Sequence, residues 1–168
     1  ALGAAFAGAI GVTVTTGPGL CLMGETLGLA VVSELPLVVI DVMRAGPGNG
    51  IPIASEQSDL LLAMFGRNGE CPAAIIAPRS PTDCFDMAYE AVRLATRLMC
   101  PVFLLSDGYL ANGSEPWRLP DMATFPTIDI KNATGPNSEG WTGPGHENGE
   151  GMPAKYLPYR RDDLLARP

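Results

Sequence analysis

Arg44 stands just after an apolar run, Leu37–Val42, with Met43 between, and directly before Ala45-Gly46-Pro47-Gly48-Asn49-Gly50. A guanidinium at the end of a buried strand, beside a pliable loop, suits bidentate capture of a carboxylate. Such a charge-assisted bond contributes about 1.5–3 kcal/mol. The same residue would also serve as a solvated surface arginine or as half of an interface salt bridge. A second segment, Thr16-Gly17-Pro18-Gly19, joins a strand to a helix. Its two glycines would let a polar ligand approach the backbone, and the helix start offers free N–H groups. It would equally make a tight strand-to-helix turn. It is neither a P-loop nor a GxGxxG dinucleotide fingerprint. Glu56-Gln57-Ser58-Asp59 opens a helix and brings polar groups to that helix start, or simply caps it. Ser106 has no GxSxG elbow around it, and the lone histidine, His146, lies far away in a Gly- and Pro-rich tail, so no Ser–His nucleophile is assembled. Asp107 is an acid at a strand end, although Asp-Gly is also an ordinary turn.

These residues need a scaffold, and the hydrophobic pattern supplies one. Ala1–Ala9 reads as the end of a buried helix. Val12–Thr16 is a short β-branched strand that Gly17-Pro18-Gly19 stops, and Leu20–Ser33 is a helix. Pro36–Met43 is a continuous apolar run, as expected of a strand buried on both faces. Ser55 is the expected N-cap of a helix whose stripe is Leu60, Leu61, Met64 and Phe65. Ala73–Ala77 is a strand, Ser80-Pro81-Thr82-Asp83 opens a long helix ending near Leu98, and Pro101–Leu105 is another buried strand. The order β-α-β-α-β-α-β with continuous strands implies an α/β fold, a parallel sheet with helices on both faces. In such sheets ligands bind beyond the carboxyl ends of the strands. Thr15–Gly19, Arg44–Gly50, Pro78–Arg79 and Ser106–Asp107 all fall there.

Composition bounds the rest. The chain has 168 residues, net charge −7, 46% hydrophobic and only 17% charged residues. That apolar share can build a core and excludes wholesale disorder. The low charge fits a surface covered by other protein. The acidic balance excludes a nucleic-acid partner of the basic-patch kind. No apolar run approaches the roughly 18 residues of a membrane span. Cys21, Cys71, Cys84 and Cys100 have no CxxC spacing, which argues against a zinc or iron–sulfur site in this chain. They read as buried free thiols of a reducing, cytoplasmic compartment. Residues 113–168 carry seven glycines and eight prolines. They read as an extended arm, anchored by Trp117, Trp141, Tyr156 and Tyr159, with a short strand near Thr127–Ile130. Residues 1–112 then form the folded domain.

Taken in order, several motifs carry a resemblance. They are Thr15-Thr16-Gly17-Pro18-Gly19, Glu34–Val38, Asp41–Gly50, Glu56-Gln57-Ser58-Asp59-Leu60, Leu104–Trp117, Leu157-Pro158-Tyr159 and Leu165–Pro168. Together they resemble the alpha subunit of 2-oxoacid:ferredoxin oxidoreductases, closest to the 2-oxoglutarate type, in its pyrimidine-binding domain of the thiamine diphosphate fold. The resemblance implies oxidative decarboxylation of a 2-oxoacid onto coenzyme A, with electrons passed to ferredoxin. It implies a hetero-oligomer in which thiamine diphosphate lies between this domain and a beta subunit. That partner would hold the diphosphate, Mg²⁺ and a [4Fe–4S] cluster. Arg44 matches the family's carboxylate-binding arginine. Thr16, Gly17, Pro18, Gly19 and Gln57 match segments facing cofactor and substrate. The family's glutamate toward the aminopyrimidine would lie upstream of residue 1, so no catalytic residue is named here. By this reading the chain is an N-terminally truncated pyrimidine domain, inactive alone, with an arm leading to a missing downstream domain. An acetolactate-synthase-like thiamine domain and a non-catalytic scaffold domain are the two other readings of the same residues.

Overall fold

The computed structural model describes residues 1–128 of the chain. Four parallel strands form one sheet in the order β1-β2-β4-β3. They are β1 (Gly11–Thr15), β2 (Leu37–Met43), β3 (Ala74–Ile76) and β4 (Pro101–Asp107). The helices are α1 (Leu2–Phe6), α2 (Gly17–Leu22), α3 (Gly24–Val32), α4 (Leu60–Phe65), α5 (Asp83–Leu98) and α6 (Gly108–Asn112). The parallel α/β architecture is the expected one, and its cause is visible in β2 and β4. Both are apolar along nearly their whole length because helices cover both faces. Leu37, Val39, Met43, Phe103 and Leu105 pack with Leu20, Leu27, Ala30 and Ala63 from α2, α3 and α4. Val38, Val102 and Leu104 face the other way, onto Ala91 and Ala95 of α5. The register aligns Leu37 with Pro101 and Met43 with Asp107, so both central strands end at the same level.

Several local expectations are corrected. The single helix over Leu20–Ser33 is two helices that meet at Met23. The break falls just before Gly24, where helix propensity is lowest. Gly17-Pro18-Gly19 is not a loop but the first turn of α2, with Pro18 near its start, where a missing N–H costs nothing. Ser55 is no N-cap, because α4 begins only at Leu60. The side chains that would have capped it reach elsewhere: Glu56 accepts the Gly46 N–H at 3.1 Å and Gln57 donates to Asp107. The long helix starts at Asp83, with Thr82 as its N-cap residue. In α1 only Ala5 is buried, so the expected buried helix is largely exposed. Cys21 is exposed and Cys71, Cys84 and Cys100 are half-buried. The expectation of four buried thiols therefore fails, although none is in a disulfide.

Residues 113–128 run along α5. Phe85 packs at 5.5 Å from the Trp117 ring and 5.6 Å from the Phe125 ring, and Tyr89 meets Phe125 at 5.0 Å. The Tyr89 hydroxyl donates to the Pro126 carbonyl. The Glu115 carboxylate accepts the Thr82 N–H at the start of α5. Thr127 and Ile128 are not in a strand, and the rest of that expected strand lies outside the described residues, as do Trp141, Tyr156 and Tyr159. Among the described residues no helix is long and apolar enough to cross a membrane.

Candidate active site at the carboxyl ends of the strands

Parallel strands bring their carboxyl ends to one edge, and the singled-out residues gather there. β1 ends at Thr15, β2 at Met43 and β4 at Asp107. Thr16 is extended and leads into α2, whose first residue, Gly17, is buried. Room at the two glycines is taken by this chain's own side chains. A Cβ at Gly17 would stand 2.7 Å from both Asp59 carboxylate oxygens, and one at Gly19 would stand 2.1 Å from the Thr15 hydroxyl. Glycine is thus required by close packing between α2 and the entry to α4. Replacing Gly17 with Ala is expected to cost about 1–3 kcal/mol, as overpacking does. Urea denaturation of the full-length subunit reads that loss, and an unchanged midpoint would contradict the packing.

Arg44 leaves β2 half-buried, and its Nε is buried with no hydrogen-bond partner. Buried guanidinium donors are normally satisfied, so this Nε is an exception. The loop after it is built to a fixed shape. Ala45 donates to the Ala54 carbonyl at 2.9 Å, Gly50 donates to Pro47 at 3.1 Å, and Ala45 bridges Ile51. Gly50 has φ +37°, and a Cβ there would fall 2.4 Å from the Ala45 carbonyl oxygen. The Gly46–Glu56 bond then ties this loop to the segment carrying Gln57.

The Gln57 side chain is exposed, and its amide donates to Asp107 Oδ2 at 2.5 Å. Asp107 is buried at the end of β4, and its Oδ1 accepts the Leu110 N–H at 2.8 Å to cap α6. Burial pushes its carboxyl up, but the Gln57 amide and the Leu110 and Tyr109 N–H groups outweigh it and hold it below the ordinary value. Asp107 therefore stays ionised as a fixed acceptor. Its sequence reading as an ordinary turn missed this helix-capping role, although Asp followed by Gly-Tyr-Leu is the spacing that a side-chain cap requires. Beside it lies an open cleft of about 990 Å³ whose walls include Pro52, Ser55, Arg79, Ser80, Gly108 and Tyr109. Arg44 is not among its lining residues.

Sequence reasoning also missed a carboxyl pair. Asp41 is fully buried in β2. Burial first, then the charge and the side-chain hydrogen bond of Asp59, raise its carboxyl from the ordinary 3.8 to about 7. Asp41 reads in the sequence only as a polar interruption of an apolar run. Nothing in one strand announces a partner 18 residues away.

The Thr16 carbonyl accepts the Leu20 N–H at 2.9 Å, and the Gln57 amide is bonded to Asp107. Ile51 and Ile53, in the loop after Arg44, are exposed. The unpaired Arg44 Nε suits a carboxylate. Among the described residues no three His, Cys, Asp or Glu side chains converge as a metal site.

Comparison with known proteins agrees with the parallel α/β fold. Residues 1–142 match the family described as pyruvate flavodoxin/ferredoxin oxidoreductase, thiamine diphosphate-binding. The chain is 62% identical over 128 residues to the 2-oxoglutarate oxidoreductase subunit KorA of Mycobacterium tuberculosis, covering 76% of this chain and 20% of that protein. It is 39% identical over 128 residues to the 2-oxoglutarate synthase subunit KorA of Archaeoglobus fulgidus, covering 76% of this chain and 37% of that one. A solved structure, the 2-oxoglutarate:ferredoxin oxidoreductase from Magnetococcus marinus with 2-oxoglutarate, coenzyme A and succinyl-CoA bound, superposes with TM-score 0.74 at 41% identity. It covers 81% of this chain and 24% of that one. The chain thus spans between a fifth and two fifths of the length of these relatives. The match to the family model over residues 1–142 establishes that the chain belongs to the thiamine diphosphate-binding family of the pyruvate flavodoxin/ferredoxin oxidoreductases.

Proposed function

We propose that this chain forms the pyrimidine-binding face of a 2-oxoacid:ferredoxin oxidoreductase of the 2-oxoglutarate type. The whole enzyme would convert a 2-oxoacid and coenzyme A to an acyl-CoA and CO₂ while reducing ferredoxin. The observation that carries this reading is Arg44, a half-buried arginine at the end of a central strand whose Nε has no partner. Its guanidinium would grip the substrate carboxylate in a two-point bond and hold the 2-keto carbon in one orientation before reaction.

Thr16, Gly17, Pro18, Gly19 and Gln57 would face the aminopyrimidine end of thiamine diphosphate, which when bound supplies the carbon nucleophile and the electron sink. Gln57 is positioned for this by its bond to Asp107. The exposed Ile51, Ile53 and Leu60 would exclude water once a partner covers them, which protects a carbanion from protonation. We assign the diphosphate, Mg²⁺ and a [4Fe–4S] cluster to a beta subunit, and the downstream electron acceptor to ferredoxin. The unpaired cysteine thiols support a reducing, cytoplasmic setting.

The test is purification of the complete enzyme with its natural partner, followed by a panel of 2-oxoacids with coenzyme A and a viologen acceptor. The expected result is coenzyme A-dependent viologen reduction, fastest with 2-oxoglutarate. Product formation from 2-oxoacids without acceptor reduction, in a complex lacking iron–sulfur absorbance, would point instead to an acetolactate-synthase-like enzyme. No turnover of any 2-oxoacid would leave a scaffold domain.

A further inference from the structure

Asp41 and Asp59 take no part in the chemistry just proposed, yet Asp59 packs on Gly17 and both lie within three residues of Arg44 or Gln57. Asp41 lies in β2 between Thr15 of β1 and Leu105 of β4 in the sheet register, with no exposed surface. Both of its carboxyl oxygens, and Oδ2 of Asp59, are buried without a hydrogen-bond donor. Two ionised carboxylates so placed would set the uncompensated buried charge of Asp41 beside the half-buried charge of Asp59. A single proton removes the conflict: one carboxyl becomes a donor and the other accepts it, as in other paired acids. The Asp59 carboxylate simultaneously fills the space left by the absent side chain of Gly17. It does not cap its own helix, since α4 has no side-chain cap bond.

We propose that Asp41 and Asp59 hold one proton between them and form a latch that fixes the start of α2 and the entry to α4 against the end of β2. Arg44 lies three residues after Asp41 and Gln57 two residues before Asp59, so both hang from the latched segments. The pair are positioning residues. Their effect on turnover rests on the proposed function, whereas the shared proton does not.

The latch is sensitive to pH. Beside Asp41 in the sheet stand Thr15 of β1 and Leu105 of β4, neither of which titrates, and Asp59, which packs on Gly17 of α2, is the titratable group acting on it. Burial and Asp59 raise the Asp41 carboxyl to about 7. The folded protein therefore binds this proton more tightly than the unfolded chain does. The stabilisation is fully present below the ordinary aspartate value and is lost as pH rises through about 7.

The test uses the complete enzyme with its partner subunit. Isotope-edited infrared spectroscopy, with carboxyl-labelled aspartate, should show a protonated carboxylic acid at pH 6. That signal should fade near pH 7 and vanish in Asp41→Asn. Asp59→Asn keeps a donor toward Asp41 without the shared proton. If the latch opens as its proton leaves, the wild-type 2-oxoacid KM should rise above pH 7, and the KM of Asp59→Asn should stay within about threefold of wild type at pH 6 and show no such rise. Asp59→Ala should raise KM about tenfold at both pH values. An infrared spectrum with no aspartic acid signal at pH 6, or a KM rise above pH 7 that persists in Asp59→Asn, would overturn the latch. If Asp41→Asn does not assemble, the Asp59→Asn spectrum and profile decide. The infrared signal needs no substrate, so its presence in an enzyme inactive on every 2-oxoacid would uphold the latch and reject the function. Normal turnover without the signal would do the reverse.

Discussion

Arg44→Ala in the complete enzyme should raise the KM for the 2-oxoacid by about 10- to 150-fold, the equivalent of about 1.5–3 kcal/mol for a lost charge-assisted bond. The argument rests on where the guanidinium stands. Arg44 follows β2, a central strand whose end is level with that of β4, and its Nε is buried without a partner. A half-buried, unsatisfied arginine has fewer side-chain conformations to lose than an exposed one, so less ordering entropy opposes binding. Because the bond forms in both ground and transition states, KM should rise more than kcat falls. Arg44→Lys keeps the charge but loses the planar fork and should fall between the two. Retention of thiamine diphosphate by Arg44→Ala, measured by equilibrium dialysis, would show that the defect lies with the substrate. Unchanged substrate kinetics would remove Arg44 from the site.

Phe103→Ala should destabilise the subunit by about 3–5 kcal/mol, the range for deleting a buried aromatic ring. Phe103 is fully buried in β4, between β2 and β3. Its ring lies 5.1 Å beneath the guanidinium carbon of Arg67, an arrangement that adds a cation–π attraction. Arg67 in turn donates to the Ala63 and Met64 carbonyls at the end of α4 and to the Cys71 carbonyl at 3.0 Å. The ring therefore supports the helix that Asp59 and Gln57 precede. Truncation should weaken the site as well as the core, with Phe103→Leu costing less because it refills most of the volume. Urea denaturation of the purified subunit checks this. A loss below about 1 kcal/mol would contradict the core placement, since surface changes are usually that small.

The central strands are plain in the sequence for a physical reason. Leu37–Val42, Asp41 apart, and Pro101–Leu105 are apolar without alternation because both faces are covered, whereas a strand with one face in water would alternate. Arg44 was legible because a cation directly beyond such a run must stand at the sheet's edge. Local signals failed where side chains spend their hydrogen bonds over long range. Ser55-Glu56-Gln57-Ser58 has the composition of a helix start, but Glu56 and Gln57 are committed to Gly46 and Asp107. The two glycines of Gly17-Pro18-Gly19 suggest room for a ligand at the backbone, yet on their Cβ side that room is filled by Asp59 and Thr15. The Asp41–Asp59 pair was invisible because one partner interrupts a strand and the other precedes a helix. Only the fold brings them together.

The Asp41 carboxyl also bears on stability. The difference between its ordinary 3.8 and about 7 corresponds to about 4 kcal/mol at most. That contribution is withdrawn as pH rises across the interval, so the site's scaffold is firmest on the acidic side of neutrality.

The central claim is that Arg44 faces a substrate carboxylate while Thr16–Gly19 and Gln57 face the cofactor's pyrimidine. The most direct measurement is a crystal or electron cryomicroscopy structure of the complete enzyme with thiamine diphosphate and 2-oxoglutarate. The account predicts a carboxylate within hydrogen-bond distance of the Arg44 guanidinium and the aminopyrimidine beside Thr16–Gly19 and Gln57. Cofactor density at another edge of the sheet, with Arg44 turned to solvent or to a partner's acid, would contradict it.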